Sequence, residues 1–285
     1  MKRSMASRLL KAKRLPFIAG SLMTMLVLLV VVFGPLVAPV DPAAIDTTKR
    51  LTPPAWAATG TFEHLLGTDH LGRDVLSRSL HATRVSFLIT VSAVLVSAAV
   101  GITLGLLAGY SGGAVGAVIM RLADVQYSFP FIVLAIAIIA TFGATLVTVT
   151  ATLAAWGWAV FARVTQAETI VAVQREYVAA AQALGSGAAR VIFRHILPNI
   201  LSPLIVIATA SIAQVLVAES ALSFLGLGVP PSVPSLGTLI GEGRTYFAIA
   251  YWTITFPGLM IALMVFGVNL LGDSVRDFLD PRMNG

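Results

Sequence analysis

The chain has 285 residues, of which 57% are hydrophobic and 11% charged, and its mean hydropathy is +0.90. Soluble domains carry about 25% charged residues, so the composition excludes an ordinary soluble domain and describes a membrane protein. The net charge of +6 is no nucleic-acid signature, because Lys2, Arg3, Arg8, Lys11, Lys13 and Arg14 form an acid-free tail and the other thirteen Lys and Arg match the thirteen Asp and Glu.

Residues 1–15 are that basic tail, which holds an N-terminus on the cytoplasmic side. The apolar run from Leu15 to Pro39 follows. It is longer than the roughly 7–15 residues of a signal-peptide core and has no A-x-A site after it, so it reads as a retained first span. A spanning helix needs about 20 apolar residues. That ruler places spans at about 16–39, 86–109, 125–142, 145–162, 200–218 and 251–271, the third and fourth separated at Gly143. The expected fold is therefore all-α, a polytopic membrane domain over 16–285 with six transmembrane helices and both termini cytoplasmic. The segment 39–54 reads as an outer loop. There are no internal repeats, and with no cysteine, disulfides and thiolate metal sites are excluded.

Loop charge supports this orientation. The inner side carries the tail, Arg121, Arg163, Arg175, Arg190, Arg194, Arg276 and Arg282, thirteen positives in all. The outer side has six: Lys49, Arg50, Arg73, Arg78, Arg84 and Arg244. Arg78 and Arg84 lie close to the second span on the outer side, which runs against the rule. Within that span Ser97, Gly101, Gly105 and Gly109 recur every fourth residue, a small-residue face for close helix packing.

Little in the chain points to bond chemistry. No G-x-x-x-x-G-K-[ST] cradles phosphates, and no H-E-x-x-H holds a metal. "GYSGG", Gly109 to Gly113, fits G-x-S-x-G, and its first four residues resemble the nucleophile motif of rhomboid intramembrane proteases. A six-span serine protease is thus the rival reading from another class. Its nucleophile, Ser111, needs a base within hydrogen-bond reach. His64, His70 and His81 fall in the outer loop and His195 in the inner one, none on a later span. A glycine-rich turn ending the second span is the simpler reading. Glu219, closing the fifth span near the outer interface, is the ionisable group inside a span; a structural hydrogen bond and a pathway role are both compatible with it. Arg121 and Asp124, three apart, read as an edge pair.

The inner segment 163–198 holds the most informative stretch. Read as a helix, Val173, Tyr177, Ala180, Ala181 and Leu184 share one face, bordered by Glu176 and Gln182. Gly185-Ser186-Gly187 breaks it. A second helix over about 188–196 carries Arg190 and Arg194 one turn apart, and Pro198 opens the fifth span. So short a helix is marginal alone in water. Periodicity leaves two partners open, a groove on another protein or lipid headgroups.

"YVAAAQALG" followed by nine residues and "LP" resembles the EAA loop of ABC importer permeases, the element that docks on the ATPase subunit. "HLLGTDHLGRDVLSR" (His64 to Arg78), "LSFLGLGVPPSVPSLGTLI" (Leu222 to Ile240) and "LGDSVRDFLDPR" (Leu271 to Arg282) resemble the C-type permeases of the dipeptide and oligopeptide branch. In this chain Ala179 stands where the acid of the motif is usual, with Glu176 one turn earlier. The resemblance implies a type I importer fold in the bacterial inner membrane. It also implies a second homologous permease, two ATPase subunits that bind ATP and Mg²⁺, and an extracytoplasmic peptide-binding protein. The chain itself would then be non-catalytic and carry no cofactor. Glu176, Tyr177, Ala180, Ala181, Leu184, Gly185, Arg190, Arg194 and Pro198 would form the coupling loop. A nickel or other small-solute importer is the alternative substrate class, although no span shows a cluster of metal ligands.

Overall fold

The computed structural model describes residues 2–230 and 232–279, with side chains from Pro16 to Asp277; the side chains of the basic tail, and Arg282, lie outside the described residues. Ten α-helices follow in order among them. They are α1 (Lys2–Val37), α2 (Val75–Ser111), α3 (Gly113–Tyr127), α4 (Phe131–Phe142), α5 (Leu146–Val173), α6 (Glu176–Ala183), α7 (Ala188–Val191), α8 (Leu197–Phe224), α9 (Leu236–Gly243) and α10 (Trp252–Leu279). No strand occurs among the described residues, so the all-α expectation holds.

The centre of the fold is α2 against α5. Ser97 Oγ donates to the carbonyl of Ala154 at 3.0 Å. A Cβ added to Gly101 would lie 2.3 Å from the Trp158 carbonyl oxygen, and one at Gly105 or Gly109 would lie 2.5 or 2.6 Å from the Cβ of Thr165 or Thr169. The small-residue face is therefore a backbone-to-backbone seam, the arrangement that apolar solvent favours when burial drives nothing. Partners rise together along both helices, so α2 and α5 run parallel. Two parallel helices in sequence need a return between them, and α3 with α4 supplies it.

That return is not one straight span over 125–142. It is two helices bent by 89° across Ser128–Pro130. Pro130 has no N–H to donate, and its ring disfavours helical φ/ψ at Phe129. Counting the bent pair as one, six segments are long and apolar enough to cross a membrane.

The outer helices close around the seam. Gly20 meets Leu270 and Gly267 meets Met23, which sets α1 antiparallel to α10. Glu219 near the end of α8 meets Ser86 near the start of α2, so these two are antiparallel as well. The loop 38–74 and α9 thus lie at one end of the bundle, and α6, α7 and the described chain ends at the other. Helix α2 starts at Val75, inside what reads from the sequence as loop. Arg78, His81 and Arg84 ride on it; Arg78 is buried in ion pairs, while Arg84 stays exposed.

At the glycine turn Gly112 and Gly113 have φ of +59° and +49°, and Ser111 is exposed. His81 is on the same helix as Ser111, 30 residues away, or about 45 Å along its axis. None of the described histidines, His195 included, hydrogen-bonds Ser111, so the protease reading finds no base.

The seam makes a direct prediction. Gly105→Val should overpack it, at a cost of about 1–3 kcal/mol or more, and lower the melting temperature in detergent. Gly258→Ala in α10, where an added Cβ meets nothing within 4 Å, should leave melting unchanged or slightly raised.

Candidate functional site

The end of the bundle that holds the described chain ends presents α6 and α7. Val178 is fully buried and packs with Leu106 of α2, Ala172 of α5, and Val191, Ile192 and Ile196. Ala181 is also turned inward, at 8% exposure. The rest of the α6 surface is open: Glu176 and Ala180 are exposed, as are Tyr177 at 41% and Leu184 at 88%. Helix α6 ends in a Schellman turn. Gly185 N–H donates to Gln182 O at 2.9 Å and Ser186 N–H to Ala181 O at 3.1 Å, with Gly185 at φ +81°. That left-handed position favours glycine.

Beyond the turn Arg190 and Arg194 are both exposed, and Pro198 lies in the first turn of α8. The second helix is not a uniform α-helix over 188–196. After α7 the chain widens into a π-turn, Ile192–Ile196, in which Leu197 N–H reaches back to the Ile192 carbonyl. Pro198 cannot donate to the carbonyl four residues back, and its ring would press on that carbonyl in a regular helix. A widened turn relieves both constraints, and α7 then continues into α8.

At the opposite end, the segment His64 to Arg78 folds into a buried ion network. Asp69 Oδ2 receives Arg73 Nε at 2.7 Å and also Arg78 Nη1. Glu242 Oε2, from α9, receives Arg73 Nη2 at 2.7 Å and Arg78 Nη1 at 2.8 Å. Burial pushes the Asp69 carboxyl up, but Arg78, Arg73 and the backbone N–H groups of Leu71 and Arg73 outweigh it and hold it below the usual range. Asp74 caps α2 through Ser77 N–H at 2.7 Å and bonds His64 Nδ1 at 3.0 Å. Trp252 Nε1 donates to Thr68 O at 3.0 Å, fastening α10 to the same loop. Asp69, His70 and Glu242 bring ligand-type atoms within 4.8 Å of one another. Both carboxylates are already taken by two guanidinium groups, whose charge repels a metal cation, so the cluster fits an ion network and not a metal centre.

Glu219 is fully buried, so water does not reach it as its place near the span end suggested. Its carboxylate accepts from Ser223 Oγ at 2.8 Å and Ser86 Oγ at 3.1 Å. Ser86 Oγ in turn accepts from Leu236 N–H at 3.1 Å. The group thus links α8, α2 and α9 within one chain. Asp124 does not pair with Arg121; it accepts from Arg163 of α5 at 2.6 Å.

Sequence reasoning singled out the segment 163–198 and Glu219 but not the network. Asp69 and Arg73, four apart, carried a local signal; Glu242 is 169 residues from Arg73 and carried none.

Residues 101–285 match the family of the binding-protein-dependent transport system inner membrane component. The di/tripeptide transport system permease of Pseudomonas aeruginosa is 42% identical over 266 residues, covering 93% of this chain and 88% of that protein. The chain belongs to this family. It is a multi-pass inner-membrane permease subunit of an ABC importer. The dipeptide permease of Escherichia coli K12 is 40% identical, with 93% of this chain and 89% of that one covered. The glutathione permease of Pectobacterium atrosepticum is 41% identical over 220 residues, 77% of this chain and 73% of its own. A chain of the inward-facing MetNI methionine ABC transporter has the same fold, with a TM-score of 0.59 at 15% identity, covering 71% of this permease and 96% of that chain.

Two expectations follow. Asp69→Asn should destabilise the permease by about 3–5 kcal/mol at neutral pH, the usual cost of breaking a buried pair. The Asp69 pKa is lowered on folding, so its contribution is complete at neutral pH and is lost as pH falls through the depressed value. Melting curves should therefore show the wild-type advantage narrowing only in strong acid. At the other site, Glu219→Gln keeps acceptors and donors for the serines, and stability should change by less than about 1 kcal/mol. Glu219→Leu strands the hydroxyls and should cost about 1–3 kcal/mol.

Proposed function

We propose that this permease is one of two transmembrane subunits of an ATP-driven importer of di- and tripeptides. The carrying observation is the open face of α6, an apolar surface held at one end of the bundle with nothing of its own chain upon it. Tyr177, Ala180 and Leu184, bordered by Glu176, Arg190 and Arg194, form the seat for an ATPase subunit. The Gly185 turn sets the angle of that seat against α7, and the π-turn before Pro198 joins it to α8. Charge supports a cytoplasmic placement of this end and of both termini.

The relatives named for di/tripeptides, dipeptides and glutathione support small peptides as cargo. The complete importer contains a second permease, two ATPases that bind ATP and Mg²⁺, and an extracytoplasmic peptide-binding protein. This chain contributes half of the path and no bond chemistry. ATP-driven closure of the ATPases moves α6, and rigid-body rocking of the two permeases switches access. Glu176, one turn from Ala179, takes the place of the acid usual in this loop.

The whole complex tests the seat. Leu184→Asp and Gly185→Val should each cut peptide uptake by about tenfold or more, by releasing the ATPases or by uncoupling hydrolysis. A bulky residue at positive φ adds about 1–3 kcal/mol of strain, enough for that change. Copurification and peptide-stimulated ATPase activity are the readouts, and wild-type values in both would refute the seat. Orientation has its own assay. In intact cells an impermeant maleimide should label Thr59→Cys and leave Ala189→Cys unlabelled; the reverse pattern would invert the topology.

A further inference from the structure

Three features meet halfway along the bundle. The first is a shallow recess lined by Ser97, Tyr127, Trp156, Phe161, Ser211 and Gln214 among others. Apart from Tyr127, which ends α3, these residues sit near the middle of α2, α5 and α8, three helices long and apolar enough to cross a membrane. The second is the α3–α4 break beside it: Tyr127 to Pro130 is exposed backbone and side chain. Non-helical backbone within a membrane is tolerated where it lines a cavity or is covered by protein, and not against lipid. The third is the Asp124–Arg163 pair, 53% and 46% exposed, with the Arg163 guanidinium 4.8 Å from the Tyr127 ring centroid.

Arg163, placed just past a span by the sequence, lies within the candidate membrane-spanning helix α5, ten residues before its end, about 15 Å along the helix. Charges within a span face a bundle interior or a watery path. Fastening α3 to α5 does not need them, because Gln126 Nε2 already donates to Trp156 O at 2.7 Å. The pair is open on one side, with one acid and one base a hydrogen bond apart, above an aromatic face. A small solute bearing an ammonium and a carboxylate finds a complement for each.

Resting on the permease reading above, we infer that Asp124 and Arg163, held over Tyr127 beside the recess, form a pathway site for the charged ends of a zwitterionic cargo. Asp124 takes the α-ammonium and Arg163 the α-carboxylate. Tyr127 and Gln214 give side chains of the cargo an amphipathic wall. The ion pair opens to admit the ligand and closes behind it, so neither charge is left unpaired.

The test uses the assembled complex in nanodiscs, with cysteine-free partner subunits. Single Gln214→Cys and Val160→Cys variants place a thiol in the recess, and Leu26→Cys on the outer surface of α1 serves as control. A charged thiosulfonate should modify the two recess thiols and spare the control. Millimolar alanyl-alanine should slow that modification several-fold, whereas its N-acetylated, C-amidated form should not. Asp124→Asn or Arg163→Gln should abolish the protection while the unprotected rate and ATPase copurification stay unchanged. Recess thiols as unreactive as the control would overturn the site, and so would equal protection by both peptides or none by either. Protection surviving both neutralising variants would overturn the assigned roles. Wild-type uptake in the same preparation keeps such a failure separate from failure of the permease reading.

Discussion

The seam between α2 and α5 is the contact on which the remaining structure depends. Inside a bilayer no hydrophobic gain is left for bringing two helices together, so close packing and hydrogen bonds must do it. Ser97, Gly101, Gly105 and Gly109 let the two backbones approach until a single added methyl would overlap Trp158 or Thr165. Because the helices run parallel, the chain must cross back between them. The broken α3–α4 segment is that crossing, and Tyr127, at its break, lines the recess shared by α2, α5 and α8.

The seam was legible in the sequence because four small residues at intervals of four can lie only on one helical stripe. The number of crossings was legible for a similar reason, since hydropathy reports length directly. The break at Pro130 was not. Hydropathy sees an unbroken apolar run there, while the helix sees a missing N–H donor. The face of α6 was read in part. Tyr177, Ala180 and Leu184 do share an open surface, but Ala181 turns inward beside Val178, because a helix of eight residues must still bury one side on its own chain.

Charges were the least legible feature. Arg78 looked out of place beside a span, and Asp124 had a nearer sequence neighbour in Arg121. In the fold Arg78 is satisfied by Asp69 and by Glu242 from a distant helix, and Asp124 by Arg163 from α5. Such pairings follow from topology, which no local window contains. They also account for how an apolar protein keeps these charged groups: Arg78 and Asp124 are each neutralised by a partner on another element.

Helix α2 has one further property. It runs 37 residues without a proline, about 55 Å, well beyond the roughly 30 Å of hydrocarbon it crosses. Arg78 near one end belongs to the ion network, Ser97 lines the recess, and Leu106 near the other end packs against Val178 beneath the α6 surface. A single stiff rod therefore touches the subunit at both ends and at its middle. Tilted by roughly 10° about its glycine seam, it would displace its ends in opposite directions, by about 7 Å at Val75 and about 2 Å at Ser111. Leverage of this kind needs no relay of small side-chain shifts, because the fulcrum is the place where two backbones are pressed closest together.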